Sequence, residues 1–283
     1  MLLLEFNDMK QILNLIRESG AADAGAIPYC ECEIITPHLE KKLGFEPKSV
    51  FIGIVPYYSH FCDKPHSVSA YALAYDYHKL LAEICNNAIE KLRHLYPNSN
   101  FAGFADHSPI NEKLAAAKCG LGIIGDHSLL ITEKYSSFVF LFDIISDIQI
   151  EMNCQDIKHC EHCGACKKVC PADLNDKKTC VSALTQKKGE LTAEEIAIII
   201  KSGFVWGCDL CQLACPHTKR AIANQTIYSD LPWFSNNIIA YPDENTISDS
   251  NDFNSRAYSW RGTKTILRNI NILKNQSQGA HDD

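Results

Sequence analysis

The chain has 283 residues, a formal net charge of −7, 46% apolar and 22% charged residues, which together exclude collagen-like and wholly disordered classes. That length accommodates one or two domains with cores of their own. No uninterrupted apolar run reaches the ~18 residues of a membrane span, and the opening MLLLEF is too short and too soon acidic for a signal peptide. The expectation is a soluble cytoplasmic monomer with no membrane association.

Residues 8–19 space Met9, Ile12, Leu13 and Ile16 at helical intervals, with Asp8 as N-cap and Gly20 as stop. Val50 to Val55 reads as a buried strand closed by Pro56. From Ser69 to Tyr96, Leu73, Tyr77, Leu80, Leu81, Ile84, Ala88, Leu92 and Leu95 keep a helical period, predicting one long helix that ends before Pro97. A strand at 100–105, a helix over 109–119, and strands at 128–132 and 137–145 follow. Strands alternating with helices predict an α/β (α+β) N-terminal domain over 1–150. Within it, Asp106 followed by Ser108-Pro109 reads as a helix N-cap. Gly120-x-Gly122-x-x-Gly125 has the spacing of a dinucleotide fingerprint, but it follows a helix where the fingerprint follows a strand, so a tight turn or close approach to a flat ligand explains it better.

Residues 151–220 form a second, mainly α domain, with one helical run near 192–202 opened by the capping-box pair Thr192 and Glu195. Residues 221–283 form a C-terminal extension. Its first part, 221–255, carries five acids and no Lys or Arg and reads as a surface connection. Its second, 256–276, carries Arg256, Arg261, Lys264, Arg268 and Lys274 without an acid, and the last seven residues read as frayed.

The 14 cysteines decide the second domain, because nine of them lie between Cys154 and Cys215. A disulfide framework belongs to small secreted chains, so metal binding is the better reading. Cys160-x2-Cys163-x2-Cys166-x3-Cys170-Pro171 is the bacterial ferredoxin run for a [4Fe–4S] cluster, whose fourth cysteine ligates the other cluster. Cys208-x2-Cys211-x3-Cys215-Pro216 repeats it with Ala214 in place of one close thiolate. Reciprocity assigns Cys160, Cys163, Cys166 and Cys215 to the first cluster. Cys170, Cys208 and Cys211 then need a fourth ligand for the second. Cys180 and Cys154 are the candidates, and Cys180 is preferred because it lies inside the connecting segment while Cys154 precedes the whole motif. Two clusters imply one-electron relay.

Taken with the first half, the chain resembles the epoxyqueuosine reductase family. The resemblance is carried by Pro56-Tyr57, Asp76-Tyr77-His78, the segment ADHSPINEKLAAAKCGLGIIGDHSLLIT (105–132), SSFVFLFDII, the cluster runs, TCVSALTQ around Cys180, GCDLCQLACP and RGTKTILRNINIL. It implies a cobalamin-binding N-terminal domain followed by a ferredoxin-like double-cubane domain. The implied activity is cobalamin-dependent reduction of epoxyqueuosine to queuosine in tRNA, with electrons relayed through two [4Fe–4S] clusters from an external donor of flavodoxin or ferredoxin type. It places the catalytic proton donor on Asp106, which burial would suit to the role. Cobalamin contacts are implied at Asp106, Gly122, Asp126 and Ser182; at Asp126-His127 the family usually carries Lys with Asn or His. It also implies a short member without the full C-terminal HEAT-like repeats.

A net charge of −7 gives no general attraction to a polyanion, so a tRNA contact must be local. Arg261, Lys264 and Arg268 are the candidate phosphate contacts, with Tyr258 and Trp260 available to stack on a base; a solvated amphipathic helix is the alternative. Two other functions remain open on the residues alone: a cobalamin-dependent reductase of another substrate, and a double-cluster electron-transfer protein serving a partner.

Overall fold

The computed structural model describes residues 3–4, 6–151 and 154–279. Met1, Leu2 and Glu5 of the opening segment, and the last four residues of the expected frayed tail, lie outside it. The chain divides into two compact units, Met1–Pro56 with His78–His162, and Tyr57–Tyr77 with Cys163–Asp283. These bounds differ from the expected divisions at 150 and 220.

The first unit opens with helix α1 (Phe6–Glu18), whose Ile12 and Ile16 are fully buried. Its sheet has four strands, β1 (Asp23–Pro28), β2 (Ser49–Pro56), β3 (Phe101–Ala105) and β6 (Val139–Ser146), in the order β1-β2-β6-β3, every neighbouring pair antiparallel. The arrangement is therefore α+β, without parallel crossovers in this sheet. Strand β2 is buried along its whole length, which is why it reads as a continuous apolar run. Strand β1 (DAGAIP) carries small residues of low strand propensity and no alternation, and sequence reasoning missed it. Packing imposes the small residue here: a Cβ on Gly25 would lie 2.7 Å from that of Cys119.

Helix α2 runs from Tyr77 to Leu95. It starts eight residues later than the periodicity predicts, because Ser69–Asp76 bonds elsewhere. The Ser69 amide donates to the Trp206 carbonyl and the Asp76 amide to that of Ser255, both at 2.7 Å. The Leu73 periodicity therefore reflects burial within the second unit. Helix α3 (Glu112–Lys118) is capped by Asn111, whose side chain accepts from the Leu114 amide. The N-cap reading of Asp106 is corrected by this: Asn111 makes the bond at the place where the helix starts. Beyond α3, the short strands β4 (Ile123–Ile124) and β5 (Leu130–Ile131) pair as a hairpin.

The second unit is helical: α4 (Ala165–Val169), α5 (Val181–Gln186), α6 (Ala193–Ser202), α7 (Leu210–Ala214), α8 (Pro216–Ala223) and α9 (Thr263–Gly279). The Thr192–Glu195 capping box opens α6 with both reciprocal bonds, and Gly203, at φ 73°, closes it. Helix α9 packs on α5 and α6. The acidic stretch 221–255 is more than a surface connection, since it buries Ile227, Phe234, Ile247 and Phe253 in this unit. No described helix is long and apolar enough to cross a membrane.

Candidate redox and acid–base site

All 14 cysteines are free thiols. Helices α4 and α7 pack against each other and carry Cys166 and Cys211. Each ends on a cysteine in extended conformation, Cys170 at φ −65°, ψ 124° and Cys215 at φ −62°, ψ 131°. Pro171 and Pro216 follow directly, and a residue before proline is driven to that conformation. The two runs thus share one local geometry on facing helices.

Burial pushes the Cys211 thiol up to about 12, and the neighbouring charges of Cys180, Asp209, Cys170 and Cys166 act in the same direction. Burial likewise raises Cys208, with Asp209, Cys211 and Cys180 contributing. Cys180 thus faces Cys208 and Cys211. Cys154 lies in the first unit, where it packs with Cys32 and Cys119 against the core holding Ile27, Val50 and Ala116. Cys160 also belongs to that unit, its amide donating to the Ile124 carbonyl at 3.0 Å; Cys163, Cys166, Cys170, Cys180, Cys208, Cys211 and Cys215 lie in the second.

Asp209 anchors the second run. It is fully buried and accepts from the Ala70 amide at 2.6 Å, from the Ser69 hydroxyl and from Gln212. The segment 57–77 is thereby held to the loop between Cys208 and Cys211.

In the first unit, Asp106 adopts φ +67°, a left-handed conformation that costs a non-glycine residue on the order of 1 kcal/mol and is kept where surroundings fix it. His78 Nε2 lies 3.1 Å from Asp106 Oδ2. The Asp106 side chain is 58% exposed, so the burial expected of the donor is absent within its own unit. Two acids that sequence reasoning did not select lie deeper, Asp143 on its strand and the half-buried Glu112, whose Oε1 is sealed from solvent. Asp143, on β6, is fully buried and accepts from the Ser108 hydroxyl at 3.1 Å. Burial raises it to about 7, and the bonds from Glu112 and Ser108 hold it back. Burial also lifts Glu112 well above the usual carboxyl range, reinforced by Asp143 and Asp106 and opposed by Lys113. The signal was present in SSFVFLFDII: a carboxylate in the middle of an apolar strand requires a partner or a proton.

Neighbouring residues of the first unit already engage two of the implied cobalamin contacts. A Cβ at Gly122 would stand 2.5 Å from the Ile131 carbonyl oxygen, so the space the glycine leaves is taken by the β4–β5 hairpin. A close approach of the hairpin backbone accounts for the glycine at this position. Asp126 is engaged by His162, Nδ1 to Oδ1 at 2.6 Å, and Cys160 completes a cluster of ligand-type atoms with them. Ser182, on α5, accepts from Gln186 at 3.2 Å. Asp106 presents its carboxyl outward and fits a group bound against the first unit.

The basic C-terminal segment is largely committed to the fold. Arg256 is fully buried and donates to the carbonyls of Leu73 at 3.3 Å and Asn237 at 2.6 Å. Arg268, expected to grip phosphate, donates to the carbonyls of Lys187 at 2.7 Å, Gly189 at 2.5 Å and Leu184 at 3.3 Å, capping the end of α5. That expectation is corrected, because turning Arg268 outward would strip three carbonyls of a charged donor. Lys274 pairs with Glu244 at 2.9 Å. Lys264 is exposed, and the Arg261 guanidinium stacks 3.8 Å over Trp260, itself 58% exposed.

No family model matches the chain. The fold is shared with solved epoxyqueuosine reductases. The enzyme from Streptococcus thermophilus superposes with a TM-score of 0.75 at 22% identity, covering 95% of this chain and 81% of that one. An epoxyqueuosine reductase bound to an epoxyqueuosine-modified tRNA-Tyr stem loop gives 0.76 at 20% identity with the same coverage. In sequence, the epoxyqueuosine reductase of Lactococcus garvieae is 28% identical over 266 residues, 88% of this chain and 75% of that protein. Those of Pseudomonas aeruginosa and Escherichia coli are 34% and 36% identical over 162 and 158 residues, each match covering 54% of this chain. The chain matches less than half the length of these last two relatives, 44% and 41%. In sequence and in fold the chain is thus similar to epoxyqueuosine reductases.

Proposed function

We propose that the chain is a cobalamin- and iron–sulfur-dependent oxidoreductase that reduces epoxyqueuosine in tRNA to queuosine. The observation that carries this reading is the pair of facing helices α4 and α7 with their matched Cys-Pro ends, in a chain similar to epoxyqueuosine reductases. The donor set fits two [4Fe–4S] clusters: thiols only, in two runs, with the Cys180 thiol beside the run that is one ligand short. Cys160, Cys163, Cys166 and Cys215 would hold one cluster, and Cys170, Cys180, Cys208 and Cys211 the other. Electrons would enter singly from an external carrier of flavodoxin or ferredoxin type.

When bound, the corrinoid supplies a metal that changes by two oxidation states, which suits a two-electron reduction. The chain's own part is acid–base and positional. Asp106, oriented by His78, supplies a proton to the oxygen released from the epoxide. On the second unit, Lys264 meets phosphate and Trp260, backed by Arg261, offers a stacking face to a base.

Mixing tests the reading against a simple electron carrier. Anaerobically reconstituted protein is expected to hold about eight irons per chain, four for each cluster, and to alter the visible spectrum of added cobalamin. Eight irons with an unaltered cobalamin spectrum would identify an electron-transfer protein instead.

A further inference from the structure

Glu112 and Asp143 form a carboxyl pair to which the reading above gives no part. The two side chains lie within hydrogen-bonding reach of each other. Glu112 Oε1 and Asp143 Oδ1 are sealed from solvent and, among the described residues, neither has a donor. Two ionised carboxylates cannot share so dry a site: their repulsion and the lost hydration both favour keeping a proton. A single proton shared between the two carboxyls removes the repulsion and supplies the donor that these oxygens lack. The other Asp143 oxygen is already held by Ser108, whose hydroxyl in turn accepts from the Ile110 amide at 3.2 Å. This fixes the pair to the loop that leads from Asp106 into α3.

Among the described residues, the ammonium of Lys113 is the one charge facing the pair that favours release of the proton. Asp143 is faced by Tyr29, Cys32 and Cys85, which are neutral as the acid and thiol forms they keep, and by Glu112. Glu112 is faced by Asp143, Asp106 and the cation Lys113, whose ammonium donates to the Ser128 carbonyl at 2.7 Å. Glu112 is therefore the member that feels both the pair and Asp106.

We propose that Glu112 and Asp143 hold one proton in common and act as the proton store for Asp106. This rests on the proposed function. Reduction of the epoxide to an alkene consumes two electrons and two protons and releases one water. The electrons come from the external carrier. Asp106 gives the first proton to the departing oxygen. The pair then passes its proton across to the Asp106 carboxylate, which delivers it as the second. The pair, left doubly ionised, regains a proton from water before the next turnover. Glu112 and Asp143 touch no substrate and act through Asp106.

Infrared spectroscopy of the cofactor-loaded protein separates the two halves of the proposal. A protonated-carboxyl band is expected to persist at neutral pH, far above the ~4 at which ordinary carboxyls ionise. It should vanish in both Glu112→Gln and Asp143→Asn, since each amide donates to the remaining carboxylate, and survive in Asp106→Asn. Absence of the band in the unaltered protein, or its survival in both amide variants, overturns the shared proton. For the supply role, Glu112→Gln with unchanged iron content should lower kcat on the order of tenfold or more while leaving KM for the tRNA in place. It should also abolish the loss of rate that the unaltered protein shows on the alkaline side of neutrality, where the pair gives up its proton. A merely structural contact would not move that limb, and an unchanged kcat and pH profile would overturn the supply role. If the unaltered protein forms no queuosine, the proposed function and the supply role fail together, while the infrared result still decides the shared proton.

Discussion

Asp106→Asn is expected to keep the full iron content and to lose turnover by about 10²–10⁴-fold, the usual contribution of a placed general acid. The substitution preserves size and can keep the contact to His78, which lies 3.1 Å from Oδ2. Asparagine also tolerates the left-handed conformation that Asp106 adopts at φ +67°. The loop is therefore expected to stay in place, and the change removes only the acidic proton. The measurement is single-turnover product formation with pre-reduced protein, alongside iron and cobalamin content. Full activity in the variant would reject Asp106 as the donor.

Cys180→Ala is expected to lower iron from about eight toward four per chain, whereas Cys154→Ala should leave it unchanged. The contrast follows from placement. Cys180 faces Cys208 and Cys211 in the second unit, while Cys154 packs with Cys32 and Cys119 on the core of the first. Iron analysis with electron paramagnetic resonance of the reduced protein reads the loss directly. Loss of one cluster in Cys154→Ala, with both retained in Cys180→Ala, would exchange the two roles.

The parts of the molecule that were legible in the sequence are those in which a short pattern has one physical solution. The Cys-x2-Cys spacing with a following proline places thiols at a helix end. Thr192 and Glu195 could only be a capping box, and the apolar run VFIGIV only a strand covered on both faces. The illegible parts depend on contacts distant along the chain. Strand β1 is made of small residues because Cys119 crowds Gly25, which no local pattern announces. Leu73 and Tyr77 continue the period of α2, yet Ser69 and Asp76 bond to Trp206 and Ser255 within the second unit, far along the chain. The basic run at 256–276 looks like a phosphate-binding face. Arg256 and Arg268 instead serve backbone carbonyls, an office that composition does not distinguish from binding. Asp143 was readable in principle as the one acid of an apolar strand, but its partner Glu112 is 31 positions earlier and only the fold joins them.

The central claim is tested most directly by nucleoside analysis of epoxyqueuosine-containing tRNA after anaerobic incubation with the iron- and cobalamin-loaded protein and a strong reductant. Conversion of epoxyqueuosine to queuosine is the predicted result. Unchanged epoxyqueuosine in the presence of reduced clusters and bound corrinoid would contradict it.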